Sequence, residues 1–416
     1  MQAEIITIGD ELLIGQVVDT NSAWMAVKLN EAGIQVKQIT SVSDNRDHII
    51  QALNEAQTRA DLILITGGIG PTPDDITKKT LAGYFNTRLV FSEKVYQDIL
   101  ELLGKRSIPV NEQNRKQAEV PENALILPNK YGTAPGMWFD LNDKIFVSMP
   151  GVPHEMKALM ENEVIPRVLK LNDTMVILHR TILTYGTFEA RLAEILAGFE
   201  KNLPKEVNLA YLPSNGVIRL RLTIAGTDRK SLENILDQET GKLYRIIPHY
   251  IFGRDDDTLE KVVGKLLTEY QKTLSVAESC TGGNISKKIT SVPGSSGYYI
   301  GSVIAYSNRI KEDVLGVNRD TILKYGAVSR EVVEKMAKGV RQLYRTDFSL
   351  ATSGIAGPEG GTVEKPVGTT WIAVSGSETV ISKKFNFGSE RQRNIERASL
   401  AGLNMLRMVL MKNSRV

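Results

Sequence analysis

Residues Asp61-Leu62-Ile63-Leu64-Ile65-Thr66 run apolar without a break between their polar ends. A strand with one wet face alternates, whereas an unbroken run of this length suits a strand buried on both faces, as in a parallel sheet covered by helices. Upstream, residues 3–9 read as a first strand. Thr20 or Asn21 caps a helix reaching about residue 31, and Gly33 is its stop. Residues 34–41 read as a second strand and 46–56 as a second helix. The order β-α-β-α-β predicts a parallel sheet with helices on both faces. Further on, Val95, Ile99, Leu102 and Leu103 keep a helical period, 129–136 is a loop, and 144–149 is another strand. A closing helix over 154–169 contains Pro166, which should kink it or end it early.

The pattern changes near Leu171. Strands are expected over 176–185, 207–211 and 217–225, with helices over 187–196 and 231–245. The strand at 217–225 sets Val217, Ile218, Leu220, Leu222 and Ile224 against Arg219, Arg221 and Thr223, so the two arginines belong to a solvated face. Residues 250–257 read as a linker. Beyond it come a helix over 258–270, strands over 273–277, 298–306 and 348–353, a hairpin from 369–375 and 379–387, and a helix from about residue 390. Helices are also expected over 284–290, 308–315 and 329–343. The expectation is an α/β protein of three domains: a parallel-sheet domain at 1–171, a small α+β domain at 172–252, and an α/β domain at 253–416. A chain of 416 residues has room for them.

The net charge of +3 argues neither for nucleic acid nor for an anionic membrane as partner. No apolar run reaches the roughly 18 residues of a membrane helix. Met1-Gln2-Ala3-Glu4 leads straight into a strand, with no basic-then-apolar leader, so a cytoplasmic location is expected. The single cysteine allows neither an internal disulfide nor a Cys-based metal site.

Two stretches carry chemistry. Ala277-Glu278-Ser279-Cys280-Thr281-Gly282-Gly283 is a strand-to-helix turn with three hydroxyl or thiol side chains. Such a turn can present a nucleophile and hold an oxyanion on backbone N–H groups near Thr281, Gly282 and Gly283, or it can simply bind phosphate or turn tightly. The four histidines, His48, His154, His179 and His249, all precede this domain's chemistry. A base for Ser279, Cys280 or Thr281 must therefore be a lysine, a carboxylate or a group from another domain. Lys287, Lys288, Lys311, Lys324 and Lys365 are candidates, because burial or a nearby cation can make a lysine neutral. In the first domain, Gly67-Gly68-Ile69-Gly70 follows the buried strand directly, with Thr72, Asp74 and Asp75 behind it; Asp10 and Glu11 end another strand of the same sheet. Glycines at that point let backbone approach a phosphate, and carboxylates at parallel strand ends suit Mg²⁺ or a similar divalent ion; the same acids could instead cap turns.

These motifs match a known family. The 277–283 turn, Pro293-Gly294-Ser295-Ser296, Tyr306-Ser307-Asn308 with Lys311, Gly326-Ala327-Val328-Ser329, and Ser353-Gly354-Ile355-Ala356-Gly357-Pro358 with Lys365-Pro366-Val367-Gly368-Thr369 resemble the C-terminal domain of the CinA (competence/damage-inducible) family. That domain is similar to nicotinamide-nucleotide amidases. The resemblance implies hydrolysis of nicotinamide mononucleotide to nicotinic acid mononucleotide and ammonia, without a cofactor. It makes Ser279 the nucleophile, Lys311 the base and Tyr306 a proton relay or orienting group. Ser295, Ser296, Asn308, Ser353, Gly354, Ala356, Gly357 and Lys365 are the substrate-binding candidates, with Arg391 or Arg393 for a phosphate. Cys280 is a rival nucleophile by intrinsic reactivity, or a small buried residue.

Gly9-Asp10-Glu11-Leu12-Leu13, Asp19-Thr20-Asn21, the 67–75 stretch, Gly132-Thr133-Ala134-Pro135-Gly136 and Pro150-Gly151-Val152-Pro153 resemble the N-terminal half of the same family. That half is similar to molybdopterin-binding domains and in some members implies a metal-dependent ADP-ribose pyrophosphatase. Gly67, Gly68, Gly70, Thr72, Gly132 and Thr133 are then binding residues, and Asp10, Glu11, Asp74 and Asp75 the metal candidates. The resemblance also implies a homodimer acting on small nucleotides in NAD salvage. The rival readings are a non-catalytic nucleotide sensor linked to competence or DNA damage, and a molybdopterin-binding protein.

Overall fold

The computed structural model describes residues 1–72, 75–171, 176–214 and 216–413. The chain separates into two compact units, residues 1–178 with 223–235 and residues 179–222 with 236–416.

In the first unit β1 (Gln2–Ile8), β2 (Gln35–Val42) and β3 (Leu62–Thr66) come from the expected β-α-β-α-β run. Two short strands, β4 (Leu89–Phe91) and β5 (Glu119–Pro121), pair with each other. β6 (Leu125–Leu127), β7 (Gly136–Leu141) and β8 (Lys144–Met149) complete the main sheet, whose order is β2-β1-β3-β8-β7-β6. The first four strands are parallel as expected, while β7 and β6 run antiparallel to their neighbours. The β7–β8 hairpin went unread in the sequence. Its turn is Asn142-Asp143, both at positive φ (50° and 58°), the conformation a two-residue type I′ turn requires. The unbroken apolar run is explained by burial on both faces of β3. Leu62 and Leu64 pack with Met25, Leu29 and Met156, and Ile63 and Ile65 with Ile49, Leu53 and Phe146.

Pro166 does not end the closing helix. Helix Pro153–Leu159 passes through a π-helical segment, Met160–Val164, and resumes as Ile165–Leu171. A proline ring collides with the carbonyl one turn back and has no N–H to give; the wider turn just before it relieves both problems.

The middle segment forms a four-stranded sheet from β9 (Val176–Tyr185), β10 (Val207–Ser214), β11 (Val217–Gly226) and β12 (Ile251–Arg254), in the order β10-β11-β9-β12. Ile218, Leu220, Leu222 and Ile224 are buried, as the alternation demands, and Arg219 and Arg221 are exposed. The supposed linker at 250–257 is in part a strand: β12 pairs antiparallel with β9 and buries Ile251 and Phe252. Arg407, from the last helix, donates to the Ile251 carbonyl at 2.9 Å.

The C-terminal segment contains β13 (Leu274–Glu278), β14 (Tyr299–Ile304), β15 (Phe348–Gly354), β16 (Thr369–Ser375) and β17 (Val380–Asn386), in the order β14-β13-β15-β16-β17. β14 and β15 flank β13 in parallel, and β16–β17 is the expected antiparallel hairpin. One sheet face packs Leu274, Val276 and Leu350 with residues of the helices Leu259–Glu269, Asn284–Thr290 and Arg391–Asn413. The other packs Ala277, Ala351 and Ala373 with the helix Arg330–Tyr344. Because β13, β14 and β15 are parallel, the segments that follow them leave from one edge of the sheet. Among the described residues, no helix is long and apolar enough to cross a membrane.

Candidate active site

Ser279 is the first residue beyond β13, and its N–H donates to the Thr352 carbonyl of β15 at 3.1 Å. Gly282 and Gly283 then take positive φ (58° and 99°), which turns the chain into the helix Asn284–Thr290 at little steric cost. The buried Glu278 carboxylate caps that helix. It accepts the N–H groups of Gly283 (2.9 Å), Ile285 (3.1 Å) and Ser286 (2.9 Å) and the Ser286 hydroxyl (2.6 Å). The helix terminus is therefore satisfied internally. Of the three amides expected to face an oxyanion, Gly283 is bound by Glu278 and Gly282 donates to the Ser279 carbonyl at 3.2 Å. The Thr281 N–H donates to no protein acceptor among the described residues.

Lys311 settles which lysine meets the serine. It sits in the helix Asn308–Asp313, just past the end of β14, and is 1% exposed. Its Nζ lies 3.2 Å from Ser279 Oγ, 2.7 Å from the Ala305 carbonyl and 3.3 Å from the Tyr306 carbonyl. Burial lowers its pKa from the ordinary lysine value. A neutral amine has two hydrogens, one for each carbonyl, and one lone pair, which is then free for the serine hydroxyl. The other lysines lie elsewhere. Lys287 and Lys324 are exposed, Lys288 pairs with Glu396 at 2.6 Å, and Lys365 Nζ donates to the Tyr325 carbonyl at 2.8 Å.

Tyr306 is 61% exposed, and its hydroxyl accepts from Arg391 Nη2 at 3.0 Å. Arg391 Nη1 donates to the Gly357 carbonyl at 2.7 Å. The tyrosine thus reaches Lys311 through its carbonyl, and its phenol belongs to a cationic rim with Arg391. Arg393 pairs with Glu390 at 2.9 Å instead. Asn394 donates to the Ala356 carbonyl at 2.9 Å and so ties that loop to the last helix. The Ser353 hydroxyl is spent on the Ala327 carbonyl at 2.7 Å, and Thr281 Oγ1 meets Thr352 Oγ1 at 2.8 Å. Gly354 has no room for a side chain: a Cβ there would meet Thr370 Oγ1 at 2.6 Å and Cys280 Sγ at 3.0 Å. Cys280 is buried, and burial pushes its thiol up to about 12, so it is a neutral packing residue. Asn308 is exposed at the start of the Lys311 helix.

Ser295 and Ser296 are not brought to this edge. They occupy the short helix Ser295–Gly297 just ahead of β14, whose first residue, Tyr299, is level with Leu274 at the start of β13. A strand advances about 3.3 Å per residue, so the length of β13 separates that end of the sheet from Ser279.

The first unit has its own crevice, about 410 Å³, at the C-terminal ends of β1, β3 and β8. Gly67, Gly68 and Gly70 line it, and the N–H groups of Gly68, Ile69 and Gly70 donate to no protein acceptor among the described residues. Gly67 and Gly68 are at positive φ (111° and 65°). Glu11, Asp19, Asp44, Asp75 and Glu155 also line the crevice, with no lysine, arginine or histidine among its lining residues. Asp10 and Asp44 are reciprocally bound: the Asp10 N–H donates to Asp44 Oδ2 at 3.1 Å, and the Asp44 N–H to Asp10 Oδ1 at 3.4 Å. Burial raises the Asp44 carboxyl above its ordinary value; the hydrogen bond from the Asp10 N–H opposes this, and the nearby charges of Asp10, Glu11 and Asp75 add to it. Asp44 went unread in the sequence, because it reaches the site only through the pairing of β2 beside β1. Asp75 accepts from the Thr72 N–H at 2.9 Å and from its hydroxyl. Thr133 lines the crevice, and Gly132 lies against Glu155, where a Cβ would strike the carboxylate. Asp74 lies outside the described residues. Crowded carboxylate oxygens without a basic neighbour fit a hard divalent cation in donor chemistry. Among the described residues, no three acids, histidines or cysteines converge as a metal-holding group.

Three family models cover the chain in order: the "Probable molybdopterin binding domain" over residues 4–170, the "Damage-inducible protein CinA KH domain" over 179–253, and the "CinA C-terminal domain" over 256–410. A CinA-like protein of Flavobacterium psychrophilum is 47% identical and covers 99% of both chains. Another, of Cytophaga hutchinsonii, is 46% identical over 98% of both. The crystal structure of the competence/damage inducible protein CihA from Agrobacterium tumefaciens is 35% identical, covering 37% of this chain and 93% of its own, with a TM-score of 0.36. With near-half identity sustained from end to end and all three family segments present in sequence, this chain belongs to the CinA family.

Proposed function

We propose that the third domain is a serine amidase with a lysine base, acting on nicotinamide mononucleotide. The observation that carries this reading is the buried Lys311 amine 3.2 Å from Ser279 Oγ, with burial favouring its neutral form. As Ser279 Oγ attacks the carboxamide carbon, Lys311 takes the hydroxyl proton. The Thr281 N–H, which has no protein acceptor among the described residues, is the donor left for the developing oxyanion. The C–N bond then breaks, Lys311 returns its proton to the departing nitrogen, and ammonia leaves. Lys311, neutral again, takes a proton from the water that attacks the ester; the C–Oγ bond then breaks, Lys311 returns the proton to Ser279 Oγ, and the acid leaves. Arg391, with the Tyr306 hydroxyl on its guanidinium, supplies a charge-assisted contact for the phosphate.

The first-domain crevice is read as a nucleotide-diphosphate site working with a divalent cation, ADP-ribose being the substrate the family resemblance suggests. Three amides without protein acceptors suit phosphate oxygens. An acid-lined crevice without a basic side chain repels a bare phosphate, which supports a cation between the two. Glu11, Asp44 and Asp75 line the crevice and Asp10 is bound to Asp44, so these are the oxygen donors on hand for it, although among the described residues no three of them converge in this arrangement. When bound, such an ion neutralises phosphate charge and polarises the phosphorus for attack.

Ammonia release from nicotinamide mononucleotide, measured on the wild type, Ser279→Ala and Lys311→Met, tests the amidase. Activity in the wild type and a loss of about 10³-fold or more in both folded variants is expected. Nucleotide binding without ammonia release by the wild type would replace it with the sensor reading.

A further inference from the structure

Gln117 forms part of the wall of the crevice that holds the Gly67–Gly70 loop. It is 3% exposed, and neither its Nε2 nor its Oε1 has a hydrogen-bond partner among the described residues. Buried side-chain amides nearly always find partners, because stranding both ends from water costs free energy. The backbone around Gln117 is fixed. It ends the helix Glu112–Gln117, which opens with a capping box between Asn111 and Asn114. The carbonyl of the next residue, Ala118, accepts the Ser92 N–H at 2.8 Å, and Lys78 Nζ donates to the preceding Lys116 carbonyl at 3.2 Å.

A carboxamide offers a donor and an acceptor side by side. Both are satisfied at once by a ring edge carrying an acceptor nitrogen beside an exocyclic amine, which is how glutamine pairs with adenine. A phosphate or a metal ion would use one end only. Asn21, which also lines the crevice, differs in this respect: its Nδ2 is spent on the Gly151 carbonyl at 2.7 Å, leaving an acceptor alone. Apolar Ile8, Leu12, Ile69 and Ala134 share the wall and can cover a flat ring. We infer that Gln117 reads the base of the nucleotide bound in this crevice, pairing with the ring nitrogen and amine of adenine, and so determines base specificity. This deepens the nucleotide reading of the crevice and rests on it.

The test is calorimetric titration of the full chain, with Mg²⁺ present, using ADP, its 6-deamino analogue (purine riboside diphosphate) and inorganic pyrophosphate. The wild type should bind ADP about ten-fold more tightly than the analogue, the discrimination of a paired base edge. Gln117→Met, which keeps the volume and removes the amide, should bind the two alike while holding pyrophosphate as the wild type does. Equal wild-type affinity for ADP and the analogue overturns the inference and leaves the nucleotide site standing. An unchanged preference in Gln117→Met does the same. Failure of the wild type to bind ADP overturns both.

Discussion

Lys311 Nζ stands 3.2 Å from Ser279 Oγ, although 32 residues separate the two in the chain. Parallel pairing of β13 with β14 brings them together. Ser279 leaves the end of one strand and the Lys311 helix follows the end of the other, so both emerge at the same sheet edge. On the amidase reading proposed above, the pair supplies a nucleophile and a base that need no histidine.

The first consequence is a pH dependence. Burial places the folded value of Lys311 below the 10.5 of a free lysine. If Lys311 is the base, as proposed, activity needs the neutral amine, so kcat/KM should climb with pH and level off above that lowered value, with the midpoint of the climb below 10.5. Stability follows the same sign. Between the lowered value and 10.5 the unfolded chain binds more protons than the folded one, so this group's contribution to stability rises with pH across that window. A profile whose climb persists in the residual activity of Lys311→Met would assign it to another group.

Cys280 is one residue from Ser279, the proposed nucleophile, yet burial pushes its thiol up to about 12. Cys280→Ala should keep ammonia release within about two-fold of wild type, and iodoacetamide at pH 8 should leave the folded protein active, since the thiolate is the reactive form. Rapid inactivation by the reagent, prevented by the alanine, would show the thiol to be accessible and ionised.

Glu278 holds the turn together by accepting three backbone N–H groups and the Ser286 hydroxyl. Glu278→Ala strands those donors in a buried place, and urea unfolding should report a loss of about 3 kcal/mol or more. A loss under about 1 kcal/mol would mean that water replaces the carboxylate without difficulty.

Gly68 has φ +65°, and a Cβ added there would run into Thr77 Oγ1. Gly68→Ala should therefore disturb the amides of the cradle and weaken ADP-ribose binding by about ten-fold or more, a cost of about 1.4 kcal/mol. Ammonia release by the third domain should not change, and a parallel loss there would point to general misfolding.

The strands were legible where pattern and burial agree. The unbroken run at 62–66 and the alternation at 217–225 depend on which faces are covered, and side-chain polarity records that directly. The supposed linker at 250–257 was misread because Ile251 and Phe252 form a strand too short to show a period. The π-helical turn before Pro166 was hidden because no residue type marks it.

By itself the sequence determined the order of elements, the absence of a histidine beyond position 249, and the residue types gathered in each motif. These follow from local periodicity and composition. The family resemblance pointed to Lys311, but only the tertiary structure put it, and none of the other four lysines, beside Ser279, set Ser295 and Ser296 at the far end of the sheet, and buried Cys280. It also brought Asp44 and Gln117 to the wall of the glycine crevice. Strand order and register decide those matters. They place residues far apart in the chain at one edge, and the burial that follows decides whether an amine is neutral or an amide is left without a partner.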